Sequence, residues 1–118
     1  MIRIKPVIYP CTVFVSNNKE ESLSFLKKKY NYSANFSNFS LGNSVMLSKE
    51  EEGMTIFFIL VSEKYDEVIT SHECIHIRWW ILDFFGIKID SENHEALTYL
   101  HDFIIRKIKK NLYKLWIV

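Results

Sequence analysis

Glycine, proline and alanine are scarce in this chain of 118 residues, which holds three glycines and two prolines. Set beside its many Asn, Lys, Ile and Tyr residues, that scarcity reads as AT-rich coding bias and says nothing about mechanism. Cysteine is equally sparse. Cys11 and Cys74 do not make a disulfide framework and read as two small buried thiols in a reducing compartment. No excess of one charge is present: 15 basic against 14 acidic side chains leaves a formal +1. That near-neutrality argues against nucleic acid or an anionic membrane as the main partner. The longest apolar stretch, Ile75 to Ile87, is broken by His76, Arg78 and Asp83, so it cannot supply the roughly 20 apolar residues of a spanning helix. No basic-then-apolar leader opens the chain, and the expectation is a cytoplasmic protein with no membrane partner. What remains is ordinary globular composition, 48% hydrophobic and 25% charged, enough for one domain over residues 1–118 with a real core.

Local pattern predicts an α+β fold. Val7 to Val15 is β-branched and aromatic and reads as a strand, ended by Ser16-Asn17-Asn18. Asn18 suits a helix cap, with Glu20 and Glu21 in the first turn, lysines in the last, and a helix running to Tyr30. Residues 31–44 read as a loop with a short strand near Phe36 to Phe39. Val45 to Ser48 and Met54 to Ser62 read as a β-hairpin with a solvated, charged tip at 49–53. Two helices follow. The first spans Asp66 to Phe85 and stops at Gly86; the second starts near Ser91 or Asn93, runs to Leu112 and carries an apolar stripe of Leu97, Leu100, Ile104 and Ile108. Trp79, Trp80, Phe84 and Phe85 read as core aromatics. The expected architecture is a small, mostly antiparallel sheet packed on an N-terminal helix, a central helix and a C-terminal helix.

One motif carries chemistry. His72-Glu73-Cys74-Ile75-His76 is H-E-x-x-H. On a helix, residues four apart lie one turn above the other on one face, so both imidazoles can reach a single Zn2+ at about 2.0–2.1 Å. Glu73 follows the first histidine, so its carboxylate can reach a water at the metal instead of competing as a ligand. A catalytic zinc needs a third protein ligand. Downstream candidates are Asp90, Glu92, His94, Glu95 and His101. Glu95 is favoured, because a short turn and an antiparallel helix would return it beside the histidines; Glu92 and His94 are the alternatives.

These residues resemble a known family. His72-Glu73-x-x-His76 followed by Asn93-His94-Glu95-Ala96 on a second helix looks like the gluzincin branch of the zincin metallopeptidases. The size is similar to minigluzincins and to small HExxH proteins of phages and prophages. The segment from Ser71 to His76 and that from Asn93 to Leu100 carry the phage-type likeness. The resemblance implies a minimal zincin-like domain that hydrolyses peptide bonds in a peptide or protein substrate. It implies that His72, His76 and Glu95 hold Zn2+ and that Glu73 is the general base for a metal-activated water. Tyr99 is the chosen extra donor to the oxyanion, and Asp83 could hold an imidazole's outer N–H. It further implies that the strand Thr55–Val61 is an edge strand that pairs with extended substrate. The apolar tail Leu112 to Val118 could form a last strand, plug the cleft and make the enzyme latent, or dock on a protein partner.

A second function class stays open. Small size and no second subdomain also suit a non-catalytic zincin-like module, such as a phage structural or host-interaction protein. A nucleic-acid accessory with an accidental motif ranks last on charge. A complete motif favours the enzyme, because a purely structural site does not need Glu73.

Overall fold

The computed structural model describes residues 1–6, 8–36, 42–49, 54–61 and 63–115. They form one small α+β domain of a four-stranded mixed sheet and three helices. The order is β1 (Ile2–Ile4), β2 (Thr12–Ser16), α1 (Lys19–Tyr30), β3 (Asn43–Lys49), β4 (Met54–Leu60), α2 (Glu67–Phe84) and α3 (Glu95–Lys110), with a final 3-10 turn at Leu112–Lys114. Across the sheet the strands run β1-β2-β4-β3. The outer pairs are antiparallel and the central β2–β4 pair is parallel.

The core explains why β4 is an unbroken apolar run. Successive strand side chains point to opposite faces. Phe57, Ile59 and Val61 enter the cluster under α2 and α3, while Ile56, Phe58 and Leu60 enter the cluster under α1. β2 splits the same way, with Val13 and Val15 on one face and Phe14 on the other. A sheet covered on both faces has no polar side to alternate with. It also follows that β4 is not an edge strand, as the zincin resemblance led us to expect. β3 and β1 are the edges.

Helix ends follow their local chemistry. Asn18 caps α1 by accepting from the Glu21 N–H at 2.8 Å. Asp66 caps α2 by accepting from the Val68 and Ile69 N–H groups at 2.9 and 3.1 Å. Gly86, at φ +74°, reverses the chain after α2, and the Ile87 N–H returns to the Leu82 carbonyl at 2.8 Å. α3 starts at Glu95, later than the expected Ser91 or Asn93. Residues 90–93 instead fold into a turn in which the Asp90 carboxylate accepts from the Glu92 and Asn93 N–H groups.

Other expectations shift. The predicted strand Val7–Val15 shortens to Thr12–Ser16, and Ile2–Ile4 supplies an unforeseen edge strand. Pro6 and Pro10 frame the turn between them, and proline cannot donate to a ladder. Of the four aromatics assigned to the core, Trp80 and Phe85 pack against it, while Trp79 and Phe84 are exposed. Leu112 and Leu115 of the tail pack on the core, and Asn17 Nδ2 donates to the Leu115 carbonyl at 2.9 Å. The short strand expected near Phe36 to Phe39 falls mainly outside the described residues, as do the charged hairpin tip and residues 116–118. Among the described residues, no helix is long and apolar enough to cross a membrane.

α2 and α3 run antiparallel over the sheet. Lys109 near the end of α3 pairs with Glu67 at the start of α2, at 2.5 Å. Further along, Arg78 lies near His101, and burial together with that guanidinium pushes the His101 pKa below 6.5. As pH falls, the unfolded chain therefore protonates His101 first. This group's contribution to stability is complete above about pH 6.5 and is lost as pH falls through the lower folded value. Unfolding scans in denaturant should show wild type losing more stability than His101→Asn between about pH 7 and 5. At neutral pH, Asp66→Ala should lower stability by about 1 kcal/mol through loss of the α2 cap.

Candidate metal centre

The helical pitch of α2 does most of the placing. His72 and His76 lie one turn apart on its exposed side, with their Nε2 atoms 3.3 Å apart and their rings edge-on. Two nitrogens each about 2.0–2.1 Å from a tetrahedral zinc would be separated by about 3.3 Å, so the pair fits a shared ion. Neither ring is covered by the protein, which leaves solvent-facing positions open.

Glu73 points a quarter-turn away, toward β3, and is only 4% exposed. A buried carboxylate needs partners. Ser44 on β3 donates its hydroxyl to Glu73 Oε1 at 2.7 Å. The other oxygen, Oε2, is 3.9 Å from His72 Nε2. Potential ligand atoms of His72, Glu73 and His76 all lie within 4.8 Å of one another, an arrangement compatible with a zincin motif and able to hold a metal ion. Gly42, Asn43, Ser44 and Trp80 complete an open cleft of about 360 Å3 around them. The Trp80 ring stands 6.0 Å from that of His76.

The neighbouring thiol takes no part. Cys74 faces the sheet, and burial, reinforced by the Glu73 charge, pushes its pKa up to about 12. Cys11 is likewise buried and is pushed up to about 11. Both are free, as the sequence led us to expect.

The other predicted site residues stand elsewhere. Glu95 is exposed at the first position of α3 and is not part of the His72–Glu73–His76 cluster. The Glu67–Lys109 ion pair and the nearness of Arg78 to His101 put α3 along one flank of α2. The Glu73–Ser44 bond puts β3 along the other. His72 and His76 line a cleft with Gly42, Asn43 and Ser44 on the β3 side. Glu92 and His94 are exposed in the turn before α3. Tyr99 is exposed and lines a different cleft, against the segment after β1. Asp83 is exposed near the end of α2.

Two residues of the site carried no signal in the motif itself. Ser44 holds the carboxylate, and Gly42 makes room for it. A Cβ on Gly42 would lie 3.0 Å from Glu73 Cγ, 3.1 Å from Ile69 Cγ2 and 3.1 Å from the Leu60 carbonyl, and its φ is +76°. Turn-forming Gly42-Asn43 before a strand is visible in the sequence. Its approach to a glutamate on a distant helix is not.

No family model matches the chain, and no curated protein or solved structure matches it.

Gly42 and Gly86 share the same backbone conformation but not the same surroundings, since a Cβ on Gly86 would meet nothing within 4 Å. Gly86→Ala should therefore show the backbone cost alone, about 1–2 kcal/mol. Gly42→Ala should cost more in denaturant titration, and it should move Glu73 in a crystal structure of the variant.

Proposed function

We propose that this chain is a zinc-dependent peptidase of gluzincin type, with His72 and His76 as metal ligands and Glu73 as general base. The observation that carries this reading is a buried carboxylate, held by Ser44, beside two imidazole nitrogens 3.3 Å apart. When bound, zinc supplies Lewis-acid chemistry, activating a water and polarising the scissile carbonyl. Glu73 Oε1 is occupied by the Ser44 hydroxyl, so Oε2 is the oxygen that takes the proton from water and returns it to the leaving amine. β3 is an edge strand, and its Asn43 and Ser44 line the cleft together with Gly42 just before it. An extended peptide added along it would bring its carbonyls past the histidines through main-chain hydrogen bonds. The gluzincin reading takes Glu95 as the third ligand and Tyr99 as the extra oxyanion donor. Both are separate from the cluster, so their roles require α3 to shift toward the histidines.

One observation favours a second reading. Only two histidines and one glutamate cluster among the described residues, and the glutamate is already engaged by Ser44. A metal-binding module without catalysis, working through protein contacts, needs nothing further.

Metal analysis of the purified protein separates the two. The peptidase reading expects about one zinc per chain, retained in Glu73→Gln and lost in His72→Ala. Zinc lost from Glu95→Ala as well would make Glu95 a ligand. Hydrolysis of a casein or peptide-library substrate should then fall by roughly 10²-fold or more in Glu73→Gln. Zinc retention with no hydrolysis by wild type would favour the binding module. No zinc in the wild type, even after zinc is added back, would overturn both readings.

A further inference from the structure

The flank of α3 that faces the segment after β1 carries a second cleft, apart from the histidines. Along α3, Ala96, Leu100, Phe103 and Lys107 follow at steps of four, three and four, so they form one stripe. The first three line an apolar cleft of about 280 Å3, closed on its other side by Pro6, Ile8 and Tyr9. Among the described residues, no charged side chain lines it. Its volume is close to the roughly 300 Å3 at which small-molecule sites begin. Ile8 on its rim is 77% exposed and Tyr99 is 68% exposed, which is a large apolar area to leave in water.

The stripe then changes character. Lys107 lines a second cleft together with Arg3, Ile4 and Lys5 of the β1 edge. Among the described residues, no acidic one lines it. The two clefts adjoin: Lys5 precedes Pro6 in the chain, and Lys107 Nζ lies 5.5 Å from the centre of the Phe103 ring. An apolar trough thus lies beside a cleft lined by the basic residues Arg3, Lys5 and Lys107. Lone lysines on an edge strand guard against strand addition. They would not need an uncharged apolar trough next to them.

We propose that this groove binds a single anionic amphiphile, with its apolar chain between α3 and Ile8–Tyr9 and its carboxylate at Arg3, Lys5 and Lys107. The charge complementarity selects an anionic head over a neutral or cationic one, and the uncharged trough selects an alkyl or aromatic chain. The site is independent of the metal reading.

The probe is decanoate, below its micelle-forming concentration, titrated into the full chain by calorimetry and by NMR of the Phe103, Tyr99 and Ile8 signals. Saturable binding at about one molecule per chain is expected, with those signals moving together. Decyltrimethylammonium, with the same chain and the opposite charge, should not bind. Lys107→Glu reverses the charge beside Phe103 and should weaken decanoate by roughly tenfold or more, with the chain still folded by its thermal unfolding transition. Ala96→Trp should fill the trough and abolish binding; if it unfolds the chain, the exposed Ile8→Ser variant should weaken binding instead. Equal affinity for the cationic analogue, indifference to Lys107→Glu, or binding seen only with anionic phospholipid vesicles would each overturn the assignment.

Discussion

From Ile56 to Val61 every side chain of the central strand and its last neighbour is out of solvent. A strand buried on both faces requires a layer on each side, and the rest of the fold answers that requirement. α1 covers one face through Leu26 and Tyr30, joined by Phe36. α2 and α3 cover the other through Ile77, Ile81, Ile104 and Ile108. Each of these side chains contributes on the order of 2 kcal/mol by leaving water, which is why helix positions are set by the sheet and not by helix propensity alone.

That arrangement builds the candidate metal centre. α2 must turn its Cys74, Ile77 and Ile81 side to the sheet. Helical pitch then leaves His72 and His76 outside, with Glu73 at the boundary between core and solvent. A carboxylate at that boundary would be costly without a partner, and Ser44 on the edge strand supplies one. The bond also selects which carboxylate oxygen stays available beside the histidines. Gly42 allows the strand's approach to come close enough for this contact. The candidate centre is thus shared between a helix, a sheet edge and the glycine that leads into that edge.

The two edges of the sheet differ in chemistry. β3 brings the Ser44 hydroxyl to Glu73. At the β1 edge, Arg3 and Lys5 line a cleft with Lys107 of α3. A net charge of +1 conceals this separation, because acidic and basic side chains cancel in the sum while standing at different places. Composition therefore argues soundly against a uniformly basic nucleic-acid binder and remains blind to a local cationic groove.

Much was determined by the sequence alone. Asn18 and Asp66 cap their helices because a side-chain oxygen next to free N–H groups is a local matter, and Gly86 ends α2 because it accepts a positive φ. H-E-x-x-H places two imidazoles together because the pitch of a helix is fixed. Both cysteines were read as buried thiols from composition, and both are. Only tertiary structure decided which strands are edges, since β4's apolar run fits a central position and an edge equally well until its neighbours are known. It also decided that Ser44 holds Glu73, that Glu95 begins a helix on the other flank of α2, and that Tyr99 lines a separate cleft. Those outcomes depend on how α3 packs against α2 and how β3 pairs with β4. Such contacts join residues far apart in sequence, and no periodicity in the chain records them.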